Sequence, residues 1–123
     1  MPLNRCASCF MIIFNLTKNM PVALRVQKAD TFSSRLFGLI PRRSIGEEEG
    51  LWLSPCAMIH MCFMRFAIDA VFLDGNLKTL RVVKNLKPWR FSPWVFGAKS
   101  VLELRSGRCE GRLAEGDKLE LKL

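Results

Sequence analysis

Tyrosine is absent from the 123 residues, histidine occurs once, and 11 acidic side chains face 19 lysines and arginines. The lack of tyrosine removes one common acid and oxyanion donor from any catalytic reading. No apolar run approaches the roughly 18 residues of a spanning helix, so a soluble protein is expected. Cysteine is odd in number, and Cys6, Cys9, Cys56, Cys62 and Cys109 show no framework-like spacing. That excludes a fully paired disulfide scaffold and favours reduced thiols in a cytoplasmic setting. There is no G-x-S-x-G, no glycine-rich phosphate loop and no H-E-x-x-H, so the standard hydrolase, nucleotide-binding and zinc-protease readings lack their marks. The apolar Cys6 to Phe14 stretch has no A-x-A site after it, and no signal peptide is expected.

What is present fits one domain. A chain of this length supports a single core, and half of its residues are hydrophobic. The net charge of +8 suits anionic partners such as nucleic acid, anionic lipid or metabolites. Its distribution is uneven: residues 75 to 100 carry six basic side chains and no acidic one, whereas residues 47 to 74 carry one basic and five acidic. A basic face is therefore expected to draw on Lys78, Arg81, Lys84, Lys87, Arg90 and Lys99. The simpler reading of such a face is a solvated surface that aids solubility.

Strand signals dominate the chain. Met11 to Leu16 and Val22 to Val26 read as a hairpin joined by the polar Thr17 to Asn19 turn. Asp30 or Thr31 caps an expected short helix, since Phe32, Leu36, Leu39 and Ile40 recur at helical spacing. Pro41 to Gly50 reads as an exposed loop. Strands are then expected at Leu51 to Leu53, Ala57 to Met64, Ile68 to Leu73, Leu77 to Val83, Ser100 to Leu104 and Leu119 to Leu123, with Asp74-Gly75 as a hairpin turn. A helical turn is expected within Gly107 to Ala114. Pro88 and Pro93 make Lys87 to Trp94 a fixed loop.

The stretch from Ser54 to Asp74 concentrates the candidate chemistry. Strand alternation places Cys56, Met58, His60, Cys62 and Met64 on one face, a row of soft ligands suited to copper(I) or zinc. Same-face residues lie about 6.6 Å apart along a strand, too far to wrap one ion without a bend, so core packing is the preferred reading of these side chains. His60, Arg65 and Asp69 are the stronger group, because a charge inside an apolar run must be paired, hydrated or functional. They form either a structural trio, with Arg65 and Asp69 paired, or a pocket. In the pocket Arg65 binds an anion, His60 relays a proton and Asp69 orients one of them, with Arg35 joining from the helix. A nucleic-acid alternative uses Lys87, Trp89, Arg90 and Trp94, with rings stacking on bases and cations meeting phosphates. Its competitor has both tryptophans covering a core edge.

The chain resembles the domain-of-unknown-function 192 family. The resemblance rests on Asn15-Leu-Thr, Asp30-Thr31-Phe32, Ser34 to Leu39, Ile59-His60, Phe63 to Asp69, Val71 to Asp74, Val101 to Leu104, Gly107 and Gly116-Asp117. Met61, Cys62 and Ala67 stand where the family tends to have threonine, phenylalanine and proline. The resemblance implies a mainly β, single-domain sandwich- or barrel-like fold over residues 11 to 123 with one short N-terminal helix, and it supplies no activity or cofactor. Residues 1 to 10 lie outside it and are expected to be a ragged extension that includes Cys6 and Cys9, with Met11 a candidate natural start. The resulting expectation is a small anionic ligand bound by His60, Arg65, Asp69 and Arg35, with catalysis undecided.

Overall fold

The computed structural model describes residues 10–29 and 43–123. Seven strands form one sheet: β1 Met11–Asn15, β2 Met20–Ala29, β3 Glu49–Leu53, β4 Ile68–Leu73, β5 Thr79–Leu86, β6 Ser100–Arg105 and β7 Leu119–Lys122. Their order is β5-β4-β6-β3-β2-β1-β7. Among the described residues there is no helix, so the fold is mainly β as expected. The short helix expected after Asp30, and Arg35 with it, lie outside the described residues.

Local chemistry sets the strand limits. β1 and β2 form the expected hairpin, and Asn15 at its turn receives the Lys18 N–H on its side-chain oxygen. β4 is buried at all six positions, which is why its sequence runs nearly uninterrupted in apolar residues instead of alternating. After it, the Asp74 carboxylate accepts the N–H groups of Asn76 at 2.8 Å and Lys78 at 3.0 Å. These two bonds use up the segment expected to open the next strand, so β5 starts at Thr79 instead of Leu77.

β2 and β3 run parallel, in register from Arg25 opposite Glu49 to Ala29 opposite Leu53. A parallel neighbour requires a crossover connection, which a loop reading of Pro41 to Gly50 does not reveal. Ile45, in the described end of that connection, is buried rather than exposed.

The sheet has an apolar cluster on each face. One contains Leu51, Leu53, Ala70, Phe72 and Val101, overlain by Ile59, Met61 and Met64. The other contains Ile13, Val26, Val71, Leu102, Leu104 and Leu119. The two edges approach at one end, where Lys78 bridges Lys118 and the Leu119 N–H reaches the Leu77 carbonyl at 2.9 Å. The sheet is thus curled into an incomplete barrel, with the first cluster on its outer face.

Candidate functional site

Over the outer face, residues 56 to 64 and 87 to 99 run side by side as an irregular ribbon. The Met61 N–H bonds the Arg90 carbonyl and the Trp89 N–H bonds the Met61 carbonyl, both at 2.8 Å. Ser92 N–H meets the Ile59 carbonyl at 2.9 Å, and Val95 N–H meets Ala57 at 3.0 Å. The expected strand from Ala57 to Met64 is therefore not formed, apart from a single bridge between His60 and Phe91. Its partner carries Pro88 and Pro93, which have no N–H to donate, and a continuous ladder cannot be built against it.

Alternation nonetheless survives locally. Ile59 and Met61 point into the core, while Met58 and His60 are exposed. A turn at Cys62 and Phe63 then shifts the phase, so Met64 is buried. The row of soft side chains is consequently split between inside and outside, not gathered as packing. Cys56 Sγ donates to the Met58 carbonyl, and the Cys62 N–H bonds His60 Nδ1 at 3.2 Å. Among the described residues no three histidine, cysteine, aspartate or glutamate side chains come together as a metal group.

His60, Arg65 and Asp69 do not converge. His60 and Arg65 are exposed on the ribbon, and Asp69 is fully buried in β4. Its carboxylate accepts three backbone N–H groups: Asn85 at 2.9 Å, and Gly107 and Cys109 at 3.1 Å each. Asp69 therefore ties β4 to the end of β5 and to the turn after β6. Gly107 makes that bond at φ +93°, a left-handed conformation that a side chain would strain. Burial, then the neighbouring Asp69 charge, pushes the Cys109 thiol up to about 12, so it is no nucleophile at neutral pH.

The basic block does build a concavity. An open cavity of about 480 Å³ lies at the end of β5, lined by Val83 to Lys87 together with Arg90 and Phe91. Three cations line it and no acidic residue does. Lys84 is engaged by Glu110 at 2.9 Å, which leaves Lys87 and Arg90 as the cations without an acidic partner among the described residues. Phe91, in the cavity wall, sits 6.2 Å from His60 between ring centroids.

The tryptophans contradict the core-edge expectation. Trp89 and Trp94 are 59% and 68% exposed, and Phe63, Phe91 and Phe96 join them at the surface. The two prolines and the bonds to residues 57–61 fix the backbone of this ribbon, so it holds aromatic rings outward without needing them as core.

One group went unmarked in the sequence. Glu103 lies in the middle of β6 and is 7% exposed. Burial pushes its pKa up to about 8. A charge inside the apolar run Val101 to Leu104 is the same signal that singled out Asp69, and it applies equally here.

Comparisons with known proteins agree with this fold. The family model for DUF192, described as an uncharacterized ACR, matches residues 13–121. The chain is similar to a UPF0127 protein of Pyrococcus furiosus, 36% identical over 112 residues and covering 88% of this chain and 96% of that one. Another, from Pyrococcus horikoshii, is 34% identical over 113 residues, covering 89% and 97%. In three dimensions it is similar to a protein of unknown function from Novosphingobium aromaticivorans, with a TM-score of 0.78 at 22% identity over 90% of this chain and 83% of that one. The family match covers nearly all of the described strands, and the chain belongs to the DUF192 family.

Proposed function

We propose that this domain binds a small anionic ligand in the cavity at the end of β5. The observation that carries the reading is the cavity wall, which holds Lys84, Lys87 and Arg90 and no carboxylate. Lys87 and Arg90 supply the charge, Phe91 supplies a flat apolar surface, and His60 and Arg65 stand exposed on the adjoining ribbon. Relative to the expectation from sequence, this reading keeps His60 as a neighbour, through its ring contact with Phe91, and moves the centre of the site onto the basic block. Asp69 acts as a structural anchor that holds the Asn85 N–H of the cavity wall. Calorimetric titration of inorganic phosphate and of a mononucleotide into wild type and a Lys87→Ala/Arg90→Ala variant tests the reading. Binding that the double variant retains unchanged sinks it.

A second reading follows from the exposed tryptophans. Trp89 and Trp94 flank Arg90 on a ribbon in which residues 54–67 and 87–99 contain no aspartate or glutamate. Rings and cations in that arrangement suit single-stranded nucleic acid. Quenching of tryptophan fluorescence by an oligothymidylate at low salt, relieved as salt rises, is the expected result. Unchanged fluorescence at low salt rules this reading out.

A further inference from the structure

The outer ribbon turns one side to the core and the other to solvent. Ile59, Met61, Ser92 and Val95 are buried against the sheet, whereas Met58, Phe91, Trp94 and Phe96 are exposed, as are Phe63 and Trp89 at the ribbon's end. Six large apolar side chains thus lie bare on one short ribbon, and a set of that size marks a surface that something covers. Phe96 stands out furthest, at 94% exposed. The Ala98 N–H bonds the Val95 carbonyl at 3.1 Å, which puts Phe96 and Gly97 at the two central positions of a tight turn, with Gly97 at φ 87°. The ring is therefore carried at a corner of the chain, with no core beneath it to fill.

The charges on the ribbon identify the kind of surface that fits. Arg65, Lys87, Arg90 and Lys99 are all exposed, and residues 54–67 and 87–99 contain no aspartate or glutamate. Bare rings bordered by cations complement a bilayer leaflet, which is apolar beneath a layer of anionic headgroups. Tryptophan suits the headgroup level in particular, and two of the six side chains are tryptophans. Single-stranded nucleic acid instead needs flat faces free to stack. Phe63 and Trp89 pack on each other, with their planes tilted by 58°, and Phe91 is tilted by 48° to His60. A base has no room between the first pair, and Met58 offers no ring at all. These side chains add apolar area for insertion and little for stacking.

We infer that the outer ribbon is a docking surface for an anionic lipid bilayer. Trp94 and Phe96 enter the interface, the Phe63–Trp89 pair enters as one apolar knob, and the four cations meet headgroup phosphates. The domain rests on the leaflet without crossing it, since among the described residues no helix is long and apolar enough to span a membrane. Pro88, Pro93 and the bonds across the ribbon hold its backbone in place, so docking orders little that is not already ordered. Phe96 and Trp94 form no part of the cavity wall, and the inference therefore stands apart from the anion reading above.

The test is cosedimentation of wild type and Trp94→Ser/Phe96→Ser with vesicles of phosphatidylcholine alone and of an equimolar phosphatidylcholine and phosphatidylglycerol mixture. Wild type is expected to bind the anionic vesicles more tightly than the neutral ones, with tryptophan emission shifted to the blue and quenched by lipids brominated along their tails. The double variant is expected to bind the anionic vesicles about ten-fold more weakly or worse, because two ring burials are lost. Both side chains are exposed, so its circular dichroism and melting curve should match wild type. Binding without quenching by the brominated tails, or binding that the double variant retains unchanged, means that net charge alone holds the protein at the surface and overturns the inference. Absence of vesicle binding at low salt overturns it too, and oligothymidylate binding in that case assigns the ribbon to nucleic acid. Each of these results leaves the anion site at Lys87 and Arg90 standing.

Discussion

Phe63 and Trp89, on the two halves of the outer ribbon, both adopt φ 68° and bring their ring centroids to 4.9 Å at an interplanar angle of 58°. Left-handed backbone is costly for bulky residues, by roughly 1–2 kcal/mol each. Such strain concentrates at functional sites, because surrounding structure must hold it in place. Here the Trp89 N–H bond to Met61 supplies part of that restraint.

Glycine at either position is therefore expected to be better tolerated than alanine. Alanine loses the ring contact and keeps the strain, whereas glycine loses the contact and relieves it, leaving Phe63→Gly about 1 kcal/mol more stable than Phe63→Ala. Urea unfolding of the two variants checks this, and the same order is expected for Trp89→Gly and Trp89→Ala.

Glu103 sets a pH dependence of unusual sign for a carboxyl. Its folded pKa is about 8 against an ordinary 4.5, so the native state holds a proton that the unfolded chain releases between those values. Stability should fall as pH rises from 4.5 to 8, by an upper limit on the order of 4 kcal/mol. On its face, Arg105 lies along β6, Glu49 on β3 and Arg81 on β5, with Cys56 in the overlying ribbon, and burial outweighs them. Glu103→Gln is expected to be more stable than wild type at pH 8 and nearly equal to it at pH 4.5, as read by denaturant midpoints.

Asp69 contributes to stability through its backbone bonds. Asp69→Ala leaves the N–H groups of Asn85, Gly107 and Cys109 without their acceptor, at a cost of about 3 kcal/mol. The loss should appear in thermal unfolding.

Asp117 provides the acid limit. Burial pushes its pKa up, but hydrogen bonds from Lys18, Asn15 and Ala114 outweigh that and leave it below the ordinary value. The contribution is present above the ordinary carboxylate range and is lost as pH falls through the lowered folded value. Asp117→Asn should cost about 1–2 kcal/mol at pH 7, with the deficit closing as pH falls below 4. Melting temperatures across that range check it.

Much of the sheet was legible because burial writes itself into the order of residues. Ile68 to Leu73 is a bare apolar run bounded by a turn, and it is β4 to the residue. Asn15 and Asp74 marked turns through side chains that bond their own neighbours. Ala57 to Met64 failed as a strand because its fate depends on a segment 30 residues further on, whose prolines deny it a ladder. The polar trio misled for a related reason: Asp69 and Arg65 are close in sequence, but the carboxylate is claimed by backbone from beyond β5 and β6. Glu103 was readable by the same rule and was hidden by an ordinary strand alternation. The exposure of Trp89 and Trp94 has no local signature, since an aromatic beside proline fits a core edge equally well.

The pairing of β1 with β7 also governs the order of assembly. Ile12 to Asn15 find their partners only at Leu119 to Lys122, so a nascent chain carries β1 with one side open until more than a hundred further residues have been made. The barrel cannot close before β7 has been made, and its final zipper joins the two most distant described strands. A folding catalyst or chaperone that shields one short apolar strand would act on this domain at β1.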